Sequence, residues 1–182
     1  MTVLELVPDE QLDQPKMAKY VALAEDLQVP DKQFFRLMAH APGYTEALFD
    51  AMYKSHAEGN VDHKLKEIIR IQLCRYAKDS YFSSLRSRKA MDAGLTEELI
   101  EAGCSEAFET DDRFSEADKW ALRYAYYMYR DPQKVKAKEF YDEGKKLLSE
   151  AEIMEIGGMC AIYYGMAVFL SSLKLTPDMA QA

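Results

Sequence analysis

Residues 62–103 read DHKLKEIIRIQLCRYAKDSYFSSLRSRKAMDAGLTEELIEAG. On a period of 3.6 residues, 63–78 sets Leu65, Ile69, Leu73 and Tyr76 along one stripe, with Ile71 and Cys74 on the opposite side. A helix that is apolar on two faces is sandwiched, and in a small domain the second cover is often another subunit. Asp62 stands where an N-cap belongs, and Asp79 can cap the next helix, which the spacing extends to Gly94. Glu67 lies one turn before Ile71 on the second face. Partial desolvation there is expected to raise its pKa towards the range useful for proton transfer.

Helix signals continue on both sides. Pro15 fits the first turn of a helix over 17–27, and Pro30-Asp31 starts another that carries Phe34, Phe35, Leu37 and Met38 and ends at Pro42-Gly43. A third runs over 44–56 and stops at Gly59-Asn60. At the end of the 62–103 stretch Thr96 starts a short helix ending near Gly103, and beyond it Ser115 with Asp118 approximates a capping box for a helix to Arg130. Pro132 separates that from a helix through Phe140 and Leu147. Ser149 and Glu152 form a full capping box for a last long helix, uncharged over 156–173 and terminated by Pro177. Its length matches a membrane span, but the tyrosines and serines within it and the lack of a second span favour a fully buried helix. With no stretch of strand alternation, the expected fold is all-α, one helical bundle in which residues 1–60 form a cap on a core of 61–182.

The chain has 182 residues, 48% of them apolar, enough for one ordinary hydrophobic core. Lys and Arg number 23 against 31 Asp and Glu, a net charge of −8, from which a phosphate-binding stripe is hard to build, so nucleic acid is not an expected partner. Cys74, Cys104 and Cys160 are odd in number and far apart, which excludes a disulfide framework and fits reduced thiols in the cytoplasm. The first 16 residues are acidic and broken by Pro8 and Pro15, unlike a secretory signal. His40, His56 and His63 have no spacing that sets two on one helical face with a carboxylate, so no metal is expected. There is no Gly-rich phosphate loop, dinucleotide fingerprint or Gly-x-Ser-x-Gly elbow, and no cofactor is expected.

Together with FSEADKWALRYA from Phe114 and LSEAEIMEIGGMCAIYYGMAVFLSSLKLTP at 148–177, residues 62–103 resemble the alkylhydroperoxidase D-like, or carboxymuconolactone decarboxylase, family over about two-thirds of the chain. The resemblance implies an all-helical fold and a homo-oligomer, a dimer, trimer or hexamer. It also implies a proton relay built from a Glu on one helix, a Cys-x-x-Cys opening the next and a His one turn further. Glu67 matches the first position. Asp79 and Phe82 occupy the two cysteine positions and Arg86 the histidine position. Without a thiolate at a helix start and a second thiol to resolve a sulfenic acid, thiol peroxidase chemistry is disfavoured.

The reading that follows is a cofactor-free enzyme of the decarboxylase type, acting by proton transfer on a small anionic substrate such as a carboxylated lactone or ring-fission product. Glu67 is the expected acid and base, although Arg70 three residues on offers it an ion pair. Arg86 is the expected clamp for a substrate carboxylate, with Phe82 beside it, and Tyr81 or Asp79 orients the reacting group. Asp79 has a second role as an N-cap, whose helix dipole should lower its pKa. Two other readings stand beside this one: an oligomeric binding module without catalysis, and a thiol peroxidase using Cys74.

Overall fold

The computed structural model describes residues 2–26 and 32–177, which contain helices and no strand. The helices are α1 (Pro15–Asp26), α2 (Gln33–Met38), α3 (Pro42–Ala57), α4 (His63–Tyr76), α5 (Ser80–Ser84), α6 (Arg88–Asp92), α7 (Glu97–Gly103), α8 (Glu116–Arg130), α9 (Pro132–Val135), α10 (Lys138–Gly144) and α11 (Glu150–Ser172). The caps expected from the sequence are present. Asp62 accepts the Lys64 N–H, Thr96 that of Leu99, and Ser115–Asp118 and Ser149–Glu152 both form reciprocal capping boxes. Pro30 and Asp31, expected to open α2, lie outside the described residues. Pro42 is the first residue of α3 rather than the end of α2.

α4 is the axis of the fold, packed against α11, α5, α8, α7, α3 and α6. Every residue from Leu65 to Cys74 is buried, with Ile69, Ile71, Leu73 and Cys74 at 0% exposure. Each aliphatic side chain so enclosed contributes about 1.5–3 kcal/mol relative to exposure. Both apolar faces of α4 are thus covered by helices of the same chain, and neither waits for a second subunit. Behind α4, the Trp120 ring stacks on Phe140 with centroids 4.8 Å apart and its Nε1–H donates to the Phe140 carbonyl at 3.0 Å, satisfying its one polar atom.

The expected helix from Asp79 to Gly94 is two helices, because the chain is extended at Leu85 and Ser87. The predicted run from Pro132 to Leu147 likewise divides into α9 and α10. α11 is the other departure. Its inner face, from Ile153 to Leu170, enters the core, but Met154, Val168 and Phe169 are 74%, 44% and 43% exposed. It is one helix long and apolar enough to cross a membrane by length and composition, and in the folded chain it is half-buried, not enclosed.

Candidate functional site

A cavity of about 120 Å³ opens between α1–α3 on one side and α4, α5 and α11 on the other. Most of its wall is apolar: Phe34, Phe35, Phe49, Met52, Phe82 and Leu85 line it. An apolar cavity of about 150 Å³ holds a benzene-sized molecule, so this one is scaled to a single small ring. Its polar end is built by Glu67 and Arg70 of α4, His56 of α3, His63, Ser87 and Tyr163.

Glu67 is the centre of that end, with a side chain 1% exposed. Arg70 Nε donates to its Oε2 at 2.9 Å and Arg70 Nη2 to its Oε1 at 2.6 Å. The Ser87 N–H donates to Oε1 at 2.8 Å. Arg70 is in turn held by the carbonyls of Phe82 and Leu85. The break between α5 and α6 supplies these partners, since inside a continuous helix those carbonyls and the Ser87 amide would bond within the helix.

Burial by itself raises the pKa of Glu67, but the charge and hydrogen bonds of Arg70, with His56 and the Ser87 amide, outweigh it and hold the carboxyl at about 2. The upward shift expected from the sequence is therefore reversed. The i,i+3 ion pair with Arg70 exists, in the interior and not on an exposed surface.

His56 places Nε2 3.0 Å from Glu67 Oε2, but off the line of a hydrogen bond, so this buried nitrogen makes none. Burial pushes the imidazole down to about 3 in spite of the carboxylate beside it, so it is neutral at pH 7. Its ring meets that of His63 edge-on, with centroids 4.8 Å apart. His63 Nδ1 lies 3.1 Å from the His56 carbonyl and Nε2 lies 2.8 Å from Ser87 Oγ. A carbonyl only accepts, so Nδ1 carries the His63 proton and the neutral ring accepts the Ser87 hydroxyl at Nε2. The 58–61 loop that joins these two histidines is clamped from below. The buried ammonium of Lys66 bonds to the Glu58 carbonyl and pairs with Glu155, whose carboxylate accepts the amides of Asn60 and Val61 at 2.9 and 3.2 Å.

The other expected residues divide. Tyr81 and Phe82 line the cavity, and the Tyr81 hydroxyl accepts the Phe34 N–H at 3.0 Å, tying the N-terminal helices to α5. Asp79 does not line it. Its carboxylate caps α5 by accepting the Tyr81 and Phe82 amides at 3.0 and 3.1 Å. Burial raises its pKa against those amides, the opposite of the expected dipole effect. Arg86 reaches the cavity lining while its guanidinium is paired with both oxygens of Glu97, at 2.8 and 3.1 Å.

None of the three cysteines lines the cavity. Burial pushes Cys74 and Cys160 up to about 12 and Cys104 up to about 11. Sequence reasoning missed His56, His63 and Ser87, because they meet only through the α3–α4 loop and the α5–α6 break. No group of three or more His, Cys, Asp or Glu among the described residues is arranged to hold a metal ion.

The fold has known counterparts. A cysteine-to-alanine variant of the debrominase Bmp8, in complex with 2,3,4-tribromopyrrole, is 20% identical and superposes with a TM-score of 0.79 over 100% of this chain and 94% of that one. An uncharacterized peroxidase-related protein from Ralstonia eutropha with an alkylhydroperoxidase AhpD core is 12% identical, with a TM-score of 0.75 over 99% and 92% of the two chains. A peroxidase-related protein from Silicibacter sp. is 13% identical, with a TM-score of 0.75 over 99% and 93%. The chain therefore has the all-helical alkylhydroperoxidase D-like fold. It carries that fold without a Cys-x-x-Cys pair anywhere in its sequence. No family model matches the chain, and no curated protein does.

Proposed function

We propose that this chain is a cofactor-free enzyme of the carboxymuconolactone decarboxylase type, which moves a proton on a small, ring-shaped carboxylate. The observation that carries the reading is His56, whose buried Nε2 has no hydrogen-bond partner and lies 3.0 Å from Glu67 Oε2 at the polar end of an aromatic cavity. The proton carrier in this reading is His56 rather than Glu67, because both Glu67 oxygens are occupied by Arg70 and the Ser87 amide, whereas the buried His56 Nε2 has no hydrogen-bond partner. Glu67, with Oε2 3.0 Å from His56 Nε2, stabilises by its charge the imidazolium formed as the ring accepts the proton. Arg86 binds the substrate carboxylate at the cavity mouth, and Phe82 and Tyr81 hold the ring. The debrominase neighbour was solved with a single flat ring, the class of shape that suits this cavity.

The test is direct. Incubation with 4-carboxymuconolactone, followed by carbon dioxide release and by NMR in D2O, should show turnover or deuterium incorporation. His56→Gln and Glu67→Gln should each lower kcat by about 10²–10⁴. A second reading, a binding module, is favoured by the saturation of Arg70 and Glu67 with internal partners. Ligand binding without turnover or exchange, across carboxylated lactones and their ring-fission products, decides for it. Thiol peroxidase activity has no support from three thiols that all lie outside the cavity.

The outer face of α11 fits a contact with a second copy. Met154, Gly158, Ala161, Gly165 and Val168 follow one another along the helix at spacings of three and four, all exposed. A Cβ built on Gly158 or Gly165 meets no atom within 4 Å. The face is uncharged, and an identical face is its natural match in a twofold pair. Val168→Asp should dissociate such a homo-oligomer, read by light scattering. The three free cysteines fit a reducing compartment, and we assign the protein to the cytoplasm.

A further inference from the structure

The two arginines of the cavity differ in a way that bears on substrate choice. Arg70 is buried, and its donors are committed to Glu67 and to the carbonyls of Phe82 and Leu85. Arg86 is held in the same way through Nη1 by the carbonyls of Ser83 and Leu85, but its side chain is 23% exposed and Glu97, the partner of its Nε and Nη2 outside the cavity wall, is 54% exposed. The charged residues of the lining are Arg70, Arg86 and Glu67, with His56 neutral. Two positive charges and one negative leave an excess of one positive charge, in a chain whose net charge is −8. Glu97 neutralises that excess from outside. Its own pKa is lowered, first by the hydrogen bonds from Arg86, so it is ionised and competes for the guanidinium at neutral pH.

An ion pair this exposed is readily exchanged, because water screens it and both side chains regain freedom when it opens. An incoming carboxylate is offered the same two-pronged donor set that Glu97 uses. We propose that Glu97 is an internal stand-in for the substrate: a single-ring carboxylate enters with its ring among Phe34, Phe49 and Phe82 and displaces Glu97 from Arg86. Glu97 thereby sets selectivity, admitting anionic rings that can compete for Arg86 and giving neutral rings no such exchange. This rests on the proposed function in taking the cavity as the substrate site.

Benzoate and benzamide, equal in shape and different in charge, are the probes. Dissociation constants are measured by NMR titration at low ionic strength on the wild type, Glu97→Gln and Arg86→Ala, with circular dichroism on each to establish folding. Glu97→Gln should bind benzoate up to about fivefold more tightly than the wild type, with benzamide unchanged. Arg86→Ala should bind the two probes alike. Added salt should weaken benzoate and not benzamide. Benzoate affinity that is the same in the wild type and Glu97→Gln overturns the inference, while benzamide binding in those proteins leaves the cavity standing as a site. If neither probe binds any of the three proteins, the inference and the cavity as substrate site both fall.

Discussion

Arg70 grips both carboxylate oxygens of Glu67, one turn earlier on the same helix, at 2.9 and 2.6 Å, with their side chains 7% and 1% exposed. A buried pair of this kind adds little net stability relative to apolar residues, but removing one partner strands the other charge. Glu67→Ala and Arg70→Ala should each destabilise by about 3–5 kcal/mol in urea unfolding. The double variant should fall well short of the sum, because each single change strands what the other removes. Additive losses would show that the two side chains act separately.

Acid should weaken the fold through His56. Its folded pKa, about 3, is depressed below the ordinary histidine value of 6.5, so between those values the unfolded chain binds more protons and stability falls as pH falls. His63 is shifted in the same direction. From pH 6.5 to pH 5 the His56 contribution is about 2 kcal/mol at the full slope. Glu67 adds a second loss at lower pH, from the ordinary carboxyl value of 4.5 down to about 2. Thermal melts from pH 8 to pH 4 should slope steeply in the wild type and less so in His56→Gln. Parallel profiles would mean that His56 is not the group being titrated.

Thiol reagents should find little to attack. With pKa values of about 11 to 12, roughly one thiol in 10⁴–10⁵ is ionised at pH 7, and the thiolate is the nucleophile. Iodoacetamide should label the native protein far more slowly than the unfolded one. A variant with Ala at positions 74, 104 and 160 should keep whatever turnover the wild type has. Loss of turnover in a folded Cys74→Ser variant would restore the thiol reading.

Two glycines are fixed by what lies over them. A Cβ at Gly144 would sit 2.5 Å from the Trp120 indole, and one at Gly103 would sit 2.4 Å from Ile68 Cγ2. Both neighbours are locked in the core, so Gly144→Ala and Gly103→Ala should each lose about 1–3 kcal/mol through overpacking. Gly158→Ala, on the open face of α11, should leave the monomer's stability unchanged or raise it slightly. Denaturant midpoints of the three variants make the comparison.

The alternation of caps and apolar stripes made the helices legible. Asp62, Thr96, Ser115 and Ser149 act within three residues of themselves, so nothing distant was needed to place them. The α5–α6 break was not legible, because 83–90 is locally compatible with a helix. Its extended backbone at Leu85 and Ser87 is held by Arg70 and Glu67, which lie 15 and 20 residues away. The direction of the Glu67 shift was hidden for the same reason, since burial and a buried partner act with opposite sign.

The sequence by itself determined that the chain is all-helical, that it lacks the thiol pair of the proteins it resembles, and where most of its helices begin, because caps, stripes and motifs are local properties of the chain. Tertiary structure alone decided that His56 meets Glu67, that Asp79 lies outside the cavity, and that α11 and not α4 keeps an open apolar face. Those outcomes depend on which helices pack together, and the energies that choose among packings are summed over contacts far apart in sequence.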